Sequence, residues 1–130
     1  MPECSLSAEE LVARLSGLLT VALATVTSGG EPRVAPVGAL FVGGEFVIPT
    51  VAESGRARNV AARPAASVTY YEGADLAVIA HGEASIALDS EFAALDAAHV
   101  AAGGMSVRGW SGEGVFLRLH ARRLFTFARA

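Results

Sequence analysis

Lysine is absent from this chain, and cysteine occurs once, at Cys4. One cysteine excludes an internal disulfide framework and fits a reducing, cytoplasmic setting. No stretch approaches the roughly 18 uninterrupted apolar residues of a membrane helix. The N-terminus also lacks a basic segment followed by an apolar one, so no signal peptide is read and a soluble protein is expected. Positive charge is supplied wholly by arginine. With a formal net charge of −3, the chain lacks the basic face of a nucleic-acid binder. His81, His99 and His120 stand far apart, and without an HxxxH or CxxC pair no metal site is expected. No GxSxG elbow is present, and the glycine pairs Gly29-Gly30 and Gly43-Gly44 mark turns rather than a dinucleotide fingerprint.

What is present suffices for one folded domain. At 130 residues, just over half of them apolar, the chain can bury a core without cross-links. Residues 1–6 are expected to form a mobile terminus. Ser7 and Glu10 form a capping box for a helix over 7–16, ended by Gly17. Strand-like runs follow at residues 20–27, 33–41, 46–49, 66–71, 76–88, 115–120 and 122–127. Pro36 interrupts the second, which should therefore be an edge, a bulge or a strand with another role, and Gly82 marks a bulge in the fifth. A helix capped by Asp89 or Ser90 runs to Ala102 and stops at Gly103-Gly104. Short strands at hairpin spacing favour a closed or partly closed antiparallel barrel.

The chemical contrast in the chain lies between Thr50 and Val68. Arg56, Arg58 and Arg63 fall there with no acid between Ser54 and Tyr71. Ser54 occupies the N-cap position of a short helix, whose first amides point outward unpaired. A hydroxyl and two arginines beside free helix amides make a site for a phosphate-sized anion. Elsewhere, Trp110 stands alone in a glycine-rich loop, where it could stack on a planar ligand, meet another subunit or join the core. Arg118, between Leu117 and Leu119, points to the opposite face of its strand from them.

Taken in order, these pieces resemble the pyridoxine 5′-phosphate oxidase-like, split-barrel flavin-binding superfamily, in particular its small single-domain flavin- and deazaflavin-dependent oxidoreductases. The likeness rests on ATVTSGGEPRVAPV (Ala24 to Val37) and SGRARNVAARPAASV (Ser54 to Val68), and it covers residues 7 to 127. It implies a mainly β fold with flanking helices, a split barrel of six to seven antiparallel strands. It further implies a homodimer holding one FMN in each of two interface grooves. The isoalloxazine would lie along Arg33, Val34, Ala35 and Pro36. Ser54 and Arg56 would hold the phosphate, with Thr50 and Asn59 supporting the turn. Trp110 and Arg118 would come from the partner chain.

The resemblance thus implies an FMN-dependent oxidoreductase moving hydride between a reduced cofactor and a small organic substrate. The hard chemistry would belong to the cofactor, so no catalytic side chain is named. An F420-dependent reductase of the same fold is the alternative, and a non-catalytic flavin- or haem-binding protein is a third. Two departures bear on affinity: Gly55 stands where many members carry a second basic residue, and Glu53 places a like charge beside the phosphate. The chain also lacks the C-terminal extension of true pyridoxine phosphate oxidases, so vitamin B6 oxidation is not expected.

Overall fold

A computed structural model describes residues 6–129. Cys4 and the rest of residues 1–5 lie outside the described residues, while Leu6 is tied down by its amide, which donates to Thr126 Oγ1 at 3.0 Å. The elements run α1 (Ala8–Arg14), β1 (Leu19–Val26), β2 (Pro32–Val42), β3 (Glu45–Val51), α2 (Gly55–Ala62), β4 (Ala65–Glu72), β5 (Leu76–Ile86), α3 (Asp89–Ala101) and β6 (Gly114–Ala128). The six strands close into an antiparallel barrel in the order β1-β2-β3-β6-β5-β4.

The closure is uneven, and the unevenness makes the site. Strand β2 pairs with β1 from Pro32 to Ala39, yet it meets β3 only at Leu40–Val42. The first two-thirds of β2 therefore has a neighbour on one side only. Pro36, which cannot donate to a ladder, falls in that half-free segment, opposite Ala22 of β1. Strand β1 in turn meets β4 only from Ala22 to Ala24, and the two strands part beyond it.

Alternation along the strands sorts the core into two parts. Inward residues such as Val21, Leu23, Ile48, Val78, Leu117 and Leu119 fill the barrel. Helix α1 adds Leu11 and Leu15 to this interior, and α2 adds Ala57 and Val60. Outward residues Leu40, Val47 and Phe116 form a second cluster, covered by Phe92 and Leu95 of α3 and by Val107. Strand β3 is thus covered on both faces.

Six strands rather than seven result because β6 does not break where the sequence suggested a junction. Its pairing with β5 shifts register instead: His81 faces Arg123 and Gly82 faces Ala121, which leaves Arg122 as the bulged residue. Gly82 is needed there because a Cβ would stand 1.9 Å from the His120 carbonyl oxygen. The expected cap of α3 also moves. Leu88 holds the N-cap position, and Glu91 reaches back to accept its N–H at 3.0 Å. The carboxylate at the third helical position replaces the missing cap side chain. By contrast, the Ser7–Glu10 capping box on α1 forms as expected.

A buried carboxylate fastens the loop after α3. Asp96 accepts from the Val107 amide at 2.9 Å and the Ser106 hydroxyl at 2.7 Å, and it pairs with Arg108 at 3.2 Å. Burial opposes ionisation of this carboxyl, but those donors outweigh it and hold its pKa below the ordinary aspartate value. His99, one turn further on, is buried against Trp110 and Phe116, and its Nδ1 has no partner among the described residues. It is neither exposed nor hydrogen-bonded through that atom.

Two stability measurements test this description. Gly82→Ala should lower the unfolding free energy measured in urea by about 1–3 kcal/mol, because the new methyl meets the His120 and Ala121 backbone. Asp96→Ala should cost about 1–3 kcal/mol at neutral pH by leaving the Val107 N–H without its acceptor. A depressed carboxyl pKa contributes stability that is complete above the unfolded value and lost as pH falls through the folded one. The gap between wild type and Asp96→Ala should therefore narrow below about pH 4, and a gap that stays constant on acidification would show that the carboxylate is not held charged.

Candidate functional site

The free segment of β2 and the start of α2 face each other across one end of the barrel. Strand β3 delivers the chain to this end, and Ser54 turns it into α2. The Ser54 hydroxyl accepts the Ala57 amide at 3.2 Å, a cap contributing about 1 kcal/mol. Ser54 also exchanges a hydrogen bond of 3.0 Å with the buried Thr50 hydroxyl, which accepts from Arg56 Nη1 at 3.2 Å. One buried threonine thereby fixes both the cap and the guanidinium. The amides of Gly55 and Arg56, at the first two helical positions, have no protein acceptor among the described residues.

Two further bonds seat the helix. Asn59 Nδ2 donates to Thr25 Oγ1 at 3.1 Å, and Arg63 Nε donates to the Val26 carbonyl at 3.3 Å. Both acceptors lie at the end of β1. Between this end, the half-free part of β2 and the α2 N-terminus runs a groove of about 360 Å³. Of the residues expected at the site, Arg33, Val34, Ala35, Ser54, Arg56 and Asn59 line it. Thr50 stands behind Ser54 and Arg56, and Pro36 continues the exposed edge of β2.

Leu23, Thr25 and Thr27 also line the groove and escaped the sequence reading. The signal was present in the alternation of TVALATVT. Thr25 ends the inward row of Val21 and Leu23, and a hydroxyl at the end of an apolar row marks a barrel mouth.

Trp110 and Arg118 are not in the groove of their own chain. Arg118 does point away from the barrel interior, but its guanidinium bonds Glu45, at 3.0 Å through Nε, and Glu91. The hydrogen bond to Glu45 outweighs partial burial, and with the charges of Glu45 and Glu91 it raises the arginine's pKa. Trp110 is half-buried on the second apolar cluster, with its ring edge-on to His99 at 6.4 Å. Core packing therefore accounts for much of its surface.

The charge distribution singles out α2. Arg14, Arg33, Arg108, Arg118 and Arg122 each pair with an acid. Arg56, Arg58 and Arg63 form no ion pair among the described residues; Arg123 and Arg129 form none either, but they stand apart near the end of the chain, whereas these three cluster on and just after one short helix. Glu53 does not line the groove; its Oε2 lies toward Gly112, 3.3 Å from where a Cβ on that glycine would stand. Nothing lies within 4 Å of a Cβ placed on Gly55, so the helix start is open. Two free amides, a capping hydroxyl and an unpaired guanidinium around open space match the needs of a phosphate. The unpaired edge of β2 beside them offers backbone donors and acceptors to a flat ring.

Known structures share this architecture. A conserved hypothetical protein of Mycobacterium tuberculosis superposes with a TM-score of 0.85 at 22% identity, over 98% of this chain and 88% of that one. A FAD-binding protein of Mesorhizobium loti gives a TM-score of 0.75 at 18% identity, over 97% of each chain. An F420 reductase gives 0.67 at 17% identity, over 87% of this chain and 94% of that one. At such identities the likeness speaks for the fold. No curated protein sequence matches the chain. Residues 7–127, however, match the family profile described as pyridoxamine 5′-phosphate oxidase, which takes in the half-free β2, the Ser54 turn and every strand of the barrel. The chain is thus a member of the pyridoxamine 5′-phosphate oxidase family.

Proposed function

We propose that the protein is an FMN-binding oxidoreductase, with the cofactor's phosphate at the start of α2 and its ring system along Arg33–Pro36. The observation that carries this reading is the Thr50–Ser54–Arg56 arrangement, whose donors are left free of the protein's own carboxylates. When bound, the flavin would supply hydride transfer at its N5 to or from a small organic substrate. The chain's own residues bind and orient. Arg56 and the Gly55 and Arg56 amides hold the phosphate, Thr50 keeps Arg56 from swinging out, and Asn59 keeps the helix on β1. Arg33 is already engaged by Glu31 at 3.2 Å in an exposed pair, so its contribution is the smaller one.

The site in this reading is completed by a second copy of the chain. Tyr71 on β4 and Phe125 and Phe127 on β6, with β5 between the two strands, are large, apolar and exposed, a surface suited to cover by a partner. Trp110 and Arg118 would be the partner's contribution. Arg118 already has two carboxylates, which makes Trp110 the stronger of the two.

F420 is the second reading, favoured by Arg58 and Arg63. Both extend the unpaired positive charge along α2 beyond the phosphate position, where an anionic tail would run.

Two titrations decide between these outcomes. Fluorescence titration of the purified chain should show FMN binding, and Arg56→Ala should weaken it by about 2–3 kcal/mol, or roughly 30- to 160-fold. Equal FMN affinity in wild type and Arg56→Ala would remove the phosphate assignment. In parallel, F420 should bind more weakly than FMN; F420 binding without FMN binding, lost on joint replacement of Arg58 and Arg63 by alanine, would establish the second reading instead.

A further inference from the structure

Resting on the FMN reading above, we infer that Thr25 and Asn59 set specificity within the groove: they read the hydroxylated chain that joins a flavin's ring to its phosphate.

The inward row of β1 runs Val21, Leu23, Thr25. The first two pack in the barrel interior, and Thr25 is as buried as they are, at 3% exposure. A valine has nearly the same shape, so the hydroxyl is the part of this residue that packing does not explain. One role for it is local: Oγ1 accepts from Asn59 Nδ2 at 3.1 Å. That bond uses a lone pair only. The hydroxyl hydrogen meets no protein acceptor, and Asn59 Oδ1 meets no protein donor, among the described residues. Turning the amide over exchanges these roles without changing the outcome, because one donor and one acceptor are left over either way. A spare donor on so buried a residue has little access to water, and a ligand hydroxyl would satisfy it.

Both residues line the groove, and register and helix geometry set them in its middle. Thr25 faces Arg33 across the β1–β2 ladder, at the start of the segment given to the ring, while Leu23 faces Ala35 further along. Asn59 lies one turn beyond the free Gly55 and Arg56 amides on α2. The pair therefore stands between the phosphate end and the ring end. The amides and Arg56 answer the phosphate, and the β2 edge answers the ring, but neither has any use for a hydroxyl. A phosphate joined to the same ring by a plain alkyl chain would fill the groove and leave Thr25 and Asn59 unmatched. Sites that hydrogen-bond a ligand hydroxyl reject analogues lacking it for this reason.

Fluorescence titration tests the assignment with two ligands: FMN, and an analogue whose ring and phosphate are joined by a five-carbon chain without hydroxyls. Wild type should bind FMN about tenfold more tightly than the analogue, the margin of one or two net hydrogen bonds. Thr25→Val should bring that ratio close to one, and Asn59→Ala should lower it to about threefold. Thr25→Ser, which keeps the hydroxyl, should retain it. A role confined to seating α2 predicts a different result, since a loosened helix weakens both ligands alike and leaves their ratio at the wild-type value. Equal affinity of wild type for the two flavins, a ratio that survives Thr25→Val, or one lost in Thr25→Ser would overturn the assignment and leave the FMN reading intact. Failure of both flavins to bind would overturn the two together.

Discussion

Everything at the groove depends on how firmly α2 is seated in the barrel end. Ala57 and Val60 are buried in the barrel interior, and a fully buried valine alone contributes about 1.5–3 kcal/mol. That apolar contact holds the helix, while the Asn59–Thr25 and Arg63–Val26 bonds settle its rotation about its own axis. With the axis fixed, the direction of the free amides is fixed too. An anion site made from backbone amides needs that rigidity, because the individual donors are weak and act only if they converge.

The second requirement is a strand that stays half unpaired. Strand β2 keeps its free edge because proline is tolerated there and because the short pairing with β3 ends at Leu40. An ordinary closed barrel would consume those backbone groups in a ladder. Here they remain available beside an electropositive helix, and the arginines of that helix are not neutralised by the chain's surplus of acids. Of the seven other arginines five are answered by a carboxylate, so three unanswered ones clustered at one helix have local meaning. Exposed pairs of that kind contribute little, about 0–1 kcal/mol; their interest lies in where they are missing.

Much of this was legible in the sequence, and the reasons are local. Ser54 and Ser7 announce their helices because capping is decided by a few consecutive residues. Pro36 announces an edge because its missing N–H allows little else. Gly82 marks the place where two backbones crowd. What the sequence could not carry was long-range. Arg118 meets Glu45 and Glu91 from distant parts of the chain, a pairing that no local pattern announces. Asp96 gave no sign that it would be buried, because its three partners sit in a loop ten residues on. The join of two strand-like runs into β6 was hidden as well, since a bulge looks locally like a strand end. Thr25 was legible from the alternation of β1, and Thr27 continues its row just past the strand's end.

The loop pinned by Asp96 has a bearing on the groove at its far end. Its last residues run antiparallel to the close of β3, where the Ala52 amide donates to the Glu113 carbonyl at 2.8 Å, two residues ahead of Ser54. The Ser54 turn is therefore braced from behind by a segment that lies outside the groove. Sequence drift in that loop would retune the stiffness of the α2 start without altering any group in it, so relatives with identical turns would differ in rigidity through the backing alone.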